Sequence, residues 1–277
     1  MQENIFLEKK TVSPLPPTNS IIARWEHKNI KPPVVDPEVV PPLLPIQDDL
    51  PSCDGIPMET EQHRLQMDIL ISSLKPWLYQ SNKGYVSGNM FVYFSPEQVK
   101  NEDFKGPDVF VVLGVSNHVR KSWIVWEEGK APDIVIELLS ESTAKEDKGK
   151  KKQIYQNKLK VPEYYWFDPF NAQDWAGFEF KRGGSYEPIV LDAKGRLVSE
   201  SLGLALTRWH GIYEGVETIW LRWETLSGEL LLTPQETRDV ETQRANTAEQ
   251  RANIAEQRAE QLSQLLREQG INPDKLY

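Results

Sequence analysis

Apolar and polar positions follow three rhythms along this chain. In "ETEQHRLQMDILISSLKPWLYQ", Leu65, Ile69, Leu70, Leu74 and Trp77–Leu78 recur at helical spacing, with Pro76 near the end. Strand-like runs follow: "YVSGNMFVYF", "PDVFVVLGV", "SWIVWE" and "DIVIELLS". A lysine-rich segment with helical spacing comes next, with "TAKE" (143 to 146) as a capping box that starts it. Then come "EYYWFD" and short runs such as "GFEF", "YEPIVL" and "TIWLRW" separated by Gly and Asn turns, the pattern of antiparallel hairpins. This order predicts one α/β domain over 59–233, a mixed sheet flanked by helices with a hairpin-rich C-terminal part.

The third rhythm is a repeat of seven. After Pro234, Arg-Ala recurs at 244–245, 251–252 and 258–259. Ala245, Ala248, Ala252, Ala255, Ala259, Leu262 and Leu266 are spaced 3, 4, 3, 4, 3, 4, which is an a/d seam. A long C-terminal helix over 234–277 is expected, pairing with other copies through 241–267, with docking along its own domain as the alternative. The other end differs. Eleven of the chain's twenty prolines fall before residue 58, so 1–58 reads as a proline-rich extended arm.

Composition narrows the class. No apolar run approaches the ~20 residues that cross a bilayer, and "MQENIFLEKK" lacks a secretion signal, so a cytoplasmic protein with no membrane partner is expected. A single cysteine, Cys53, excludes a disulfide framework, and four scattered histidines argue against zinc. The formal charge of −9 is unlike that of a nucleic-acid binder. Yet 145–160, "KEDKGKKKQIYQNKLK", carries seven lysines against Glu146 and Asp147, a local +5. A solvated helix face is the plain reading of such a run.

One residue breaks the strand pattern. Glu137 stands inside "DIVIELLS", where an ionised carboxylate costs several kcal/mol unless it is paired or holds a metal. Asp133 shares its face but lies roughly 13 Å away along the strand. Asp108, at the start of "PDVFVVLGV", could oppose it from a neighbouring strand about 4.8 Å away, and two carboxylates so placed can share a divalent cation. On the helix that follows, Asp147, Lys151 and Tyr155 stand at i, i+4 and i+8, which lets Lys151 reach the acids and stabilise charge on a phosphate. Against this, Asp108 could be a turn residue, Lys151 has lysine neighbours, and His63 and Tyr155 read as packing residues.

Together, "GPDVFVV", "APDIVIELLSEST", Asp147 with "KGKKKQIY", and "VPEYYWFDP" resemble the Uma2 family of restriction-endonuclease-like proteins, abundant in cyanobacteria, across about 59 to 235. The resemblance implies a PD-(D/E)XK nuclease core: a restriction-endonuclease-like mixed sheet with a Mg²⁺-dependent phosphodiesterase site, Mn²⁺ being an alternative. It implies Asp108 and Glu137 as catalytic metal ligands, with the main-chain carbonyl of Leu138, and Lys151 as the catalytic amine. The usual lysine two residues after the second acid is absent, because Leu139 stands there. Lys152 is a second candidate for that amine, and Glu61 a further acid. Lys148, Lys150 and Lys152 would bind phosphates of DNA. The function expected is hydrolysis of phosphodiester bonds in DNA. Two alternatives are a nuclease-fold DNA-binding module without turnover and an oligomeric interaction protein built on the coiled coil.

Overall fold

The computed structural model describes residues 44–46, 50, 60–80, 83–95 and 104–270. Leu44 apart, these lie in one unit, Pro45–Tyr277. The expected proline-rich arm and Cys53 fall outside the described residues, apart from 44–46 and Leu50.

The first helix, Glu61–Gln80, forms where the helical spacing predicts it, and Leu65, Ile69, Leu70, Leu74 and Leu78 are its buried stripe. It packs on a six-stranded sheet made of β1 (Gly84–Ser87), β4 (Val109–Leu113), β6 (Ile134–Leu138), β7 (Glu163–Phe167), β8 (Trp175–Phe180) and β9 (Tyr186–Pro188). Strand order is β1-β4-β6-β7-β8-β9; β6 and β7 run parallel and all other neighbours antiparallel. The parallel pair is joined by the lysine-rich helix, 144–159, as a parallel connection requires.

Both sheet faces are covered, and side chains alternate between them. Val109 and Val111 of β4, with Ile134, Ile136 and Leu138 of β6, pack toward the first helix and the C-terminal hairpin. Phe110, Val112 and Val135 pack on the opposite side against Tyr155 and Leu159 of the lysine-rich helix. The near-continuous apolar run of β6 follows from this double burial. Glu137, two residues after Val135, falls on the lysine-rich helix's side.

Two smaller sheets complete the fold. β2 (Val92–Tyr93), β3 (Phe104–Lys105) and β5 (Trp123–Ile124) form one, around Phe91, Tyr93 and Phe104. The expected strand "SWIVWE" stops at Ile124, and Val125–Glu128 is one helical turn closed by Gly129 in the left-handed region. Trp123 and Trp126 send their indole N–H groups to the carbonyls of Lys130 and Pro45, which draws the segment out of the sheet.

β10 (Leu197–Ser199), β11 (Leu204–Tyr213) and β12 (Val216–Thr225) form the third sheet. Its ten-residue strands meet at Glu214-Gly215, both with positive φ, the two-residue turn that matches strand twist. Of "YEPIVL", Tyr186–Pro188 forms the strand, and Ile189 adds one main-chain bond to Gly177 (2.8 Å). The chain leaves β12 for a helix over Pro234–Glu268 with no buried residue. Among the described residues no helix is long and apolar enough to cross a membrane.

Candidate active site

Strand register brings the two acids together. β4 and β6 pair Val109 with Ile136; one step further along the antiparallel ladder, Asp108 stands opposite Glu137. Asp108 is locked at that end of the strand. Its Oδ2 accepts from the Leu138 N–H (2.7 Å), and its Oδ1 from His63 Nε2 on the first helix (2.9 Å). The turn after β1 lies so close to the Asp108 carbonyl that a Cβ at Gly88 would come within 1.9 Å of it, so this position must be glycine.

The helix over 144–159 is not a regular α-helix. Two wide turns, Asp147–Lys151 and Tyr155–Leu159, flank a short α segment, Lys152–Ile154. In a regular helix each step of four residues drifts about 40° around the axis, so 147, 151 and 155 would fan apart. Wide turns cancel much of that drift, and such turns cluster at functional sites. Its start also differs from the expected capping box. Thr143 has helical backbone angles and makes no cap bond. Ser140 takes the role instead: its Oγ accepts from the Thr143 N–H (3.2 Å), and its carbonyl from the Ala144 N–H (3.0 Å).

The three aligned groups converge on Glu137, which is fully buried. Tyr155 donates its hydroxyl to Oε1 (2.8 Å), and Lys151 Nζ lies 3.3 Å from Oε2. The same ammonium is 2.7 Å from Oδ1 of Asp147, also fully buried. Tyr164 donates to the Asp147 carbonyl (2.8 Å) and ties the wide turn to β7. Burial pushes the Glu137 carboxyl up to about 8; Lys151 opposes this, while Asp108 and Asp147 add to it. Burial also raises Asp147, against the pull of Lys151 and Thr143. Lys151 is itself desolvated, but Glu137 and Asp147 outweigh that and hold it firmly protonated. Lys151 thus pairs with two buried acids, Glu137 and Asp147, while Asp108 is held by His63 and the Leu138 N–H.

The remaining expected residues scatter. Lys148 turns to Asp174, and Lys152 lies over the rings of Phe178 and Trp166. Lys150 is exposed beside Gln153, Asn157 and Lys158. Leu138 enters the cluster through its N–H while its side chain packs in the core, and Leu139 is fully buried. Glu61 lines a shallow cleft with Arg64, Asp68, Tyr213 and Glu214.

Four residues belong to the cluster that the sequence did not single out for chemistry. His63 and Tyr155, read as packing residues, hold Asp108 and Glu137, and Asp147 is a third acid, fully buried like Glu137. The i, i+4, i+8 stripe carried a signal for Asp147 and Tyr155; nothing did for His63. Lys105 is the fourth. It lies on β3, three residues before Asp108, and is half-buried with its pKa lowered by burial, partly offset by Glu146 and deepened by Lys150 and Lys151. That places a second cation beside the site.

As a cation site, the donors are hard oxygens of the kind magnesium takes, and their negative charge exceeds what Lys151 neutralises. Among the described residues no three His, Cys, Asp or Glu side chains gather as ligands, so main-chain oxygen, water or phosphate must complete any shell. With those partners the residues fit a divalent cation.

A family model, Uma2, described as "Putative restriction endonuclease", matches residues 54–211, more than half of the chain. The chain belongs to this family. Among solved structures, one titled as a "putative nuclease belonging to DUF820" from Anabaena variabilis ATCC 29413 is 17% identical, covering 57% of this chain and 91% of that one at a TM-score of 0.39. No curated protein matches the chain.

Proposed function

We propose that this protein is a metal-dependent endonuclease that hydrolyses phosphodiester bonds in DNA. Membership of a restriction-endonuclease family supports the nuclease class. The observation that carries the finer reading is the convergence of Asp108, Glu137 and Lys151 at one end of the central sheet. Asp108 and Glu137, with the Leu138 main chain, would hold Mg²⁺, with Mn²⁺ an alternative. When bound, such an ion polarises a backbone phosphate and acidifies water.

The chain's own groups do the rest. His63 fixes the rotamer of Asp108, and Tyr155 that of Glu137. Lys151 presents an ammonium where negative charge develops on the phosphate under attack. Lys150 and Lys105 supply cations for neighbouring phosphates, contacts that position DNA without reading its sequence. The seven-residue seam of the terminal helix adds association between copies to this reading.

The test is cleavage of plasmid and single-stranded DNA with Mg²⁺ or Mn²⁺. Asp108→Ala and Glu137→Ala should each abolish product while melting curves show a folded protein. The ions should raise the melting point of the wild type and not of Glu137→Ala. A folded wild type that forms no product at any metal concentration would sink the proposal. Because Lys151 already neutralises part of the acid cluster, a second reading is a DNA-binding module without turnover. It predicts salt-sensitive DNA binding that survives both alanine changes.

A further inference from the structure

On the helix Pro234–Glu268, five charges have no partner among the described residues. Arg244, Arg251 and Arg258 precede the a positions of the seam, which makes them g; Glu249 and Glu256 follow the d positions, which makes them e. Within a helix, charges support one another at spacings of three and four residues. Here the spacings are two (249 to 251, 256 to 258) and five (244 to 249, 251 to 256). Among the described residues none of these five side chains has an ion pair or hydrogen bond to another side chain, although Gln235–Asp239 and Gln264–Glu268 on the same helix do. Along 244–258, where these five charges make no such pairs, the helix draws on another source of stability.

A spacing of five is the one that a parallel pair of helices uses, where g of one chain meets the following e of the other. Arg244 would meet the partner's Glu249, and Arg251 the partner's Glu256. With the symmetric pairs that makes four attractive contacts. An antiparallel pair brings g to g and e to e, so that arginines face arginines and glutamates face glutamates. The seam of small alanines allows close approach, over which the arginine stems can lie.

From this charge pattern we infer that the terminal helix pairs with a second copy of this chain in parallel and in register, so that both catalytic domains sit at the same end of the coil. The inference rests on the association proposed above and adds its direction. The root of each helix supports it, because Thr233 and Glu236 form a reciprocal cap and Arg222, buried in β12, grips both carboxylate oxygens of Glu236 at 2.7 Å. Each domain is thereby fixed to the start of its helix.

Sedimentation equilibrium of the full chain should show a dimer. Arg244→Glu with Arg251→Glu turns four attractions into four repulsions and should weaken the dimer roughly ten- to a hundredfold. Mixing that variant with one carrying Glu249→Arg and Glu256→Arg should restore association. Direction is read from disulfides in a Cys53→Ser background. Ala245→Cys and Leu262→Cys should each cross-link to themselves. If the two variants cross-link only when mixed, copies associate but the parallel direction is wrong. If the wild type stays monomeric at every concentration, association itself fails, and this inference with it. No outcome depends on DNA cleavage.

Discussion

Two helices of this protein are rich in charge, and they handle it in opposite ways. The helix over 144–159 turns Asp147 and Lys151 inward, widens two of its turns to do so, and meets a buried strand carboxylate. The terminal helix is regular, capped at Thr233, and beyond Glu236, which meets the buried Arg222 at its root, keeps its described charges at the surface. On paper both are polar segments with helical spacing. Environment separates them: burial makes each inward charge depend on its neighbours, whereas an outward charge costs little until a partner arrives.

The sharpest test of that contrast is to remove one charge from each helix. Lys151→Met strands Glu137 and Asp147 without their cation and should cost about 3 kcal/mol in urea unfolding. Arg251→Ala, measured at concentrations too low for pairing, should stay within about 0.5 kcal/mol. Similar costs for the two would erase the distinction.

The pH dependences should run in opposite directions. Glu137 holds its proton up to about 8 when folded, against an ordinary value of 4.5. Between those values the folded state binds a proton that the unfolded state has lost. Stability in metal-free buffer should therefore fall as pH rises from about 5 to about 8, on the order of 4 kcal/mol. Glu137→Gln should flatten the slope. At the root of the terminal helix, burial pushes Glu236 up, but hydrogen bonds from Arg222 and Thr233 bring it below 4.5. Its contribution is present above 4.5 and disappears as pH falls below that value, an acid-side loss that Glu236→Gln removes.

Smaller changes refine the picture. Tyr155→Phe deletes one hydrogen bond to Glu137 and should cost about 1.5–2 kcal/mol. It should also slow cleavage by loosening the carboxylate. Thr233→Ala breaks the reciprocal cap and should cost about 1 kcal/mol, read as a loss of helical signal at lower temperature. Asn246→Ala, on the outer face of the seam, should change neither stability nor association measurably.

The fold class was legible because double burial leaves an apolar run that few other environments produce. The acid pair was legible for a related reason, since a carboxylate inside β6 demands a partner and the adjacent strand begins with one. Lys151 could be chosen among four neighbouring lysines only through its spacing from Asp147 and Tyr155 and through family likeness. The wide turns were not legible, because they answer to Tyr164 and the sheet beneath rather than to local propensity. His63 was hidden because its partner lies 45 positions away. Lys105 was hidden because β3 is only two residues long. "SWIVWE" misled because its tryptophans bond to carbonyls outside the sheet.

A polar thread runs from the root of the terminal helix to the acid pair. Glu236 grips Arg222; the neighbouring Leu221 exchanges two main-chain hydrogen bonds of 2.9 Å with the Gln66 side chain; one helical turn away, His63 reaches Asp108. Every link is short and buried or half-buried. If the terminal helices pair and Asp108 holds the metal as proposed, a twist applied at the pairing helix has a contact route to that carboxylate, and Gln66→Leu cuts the route while leaving both of its ends intact.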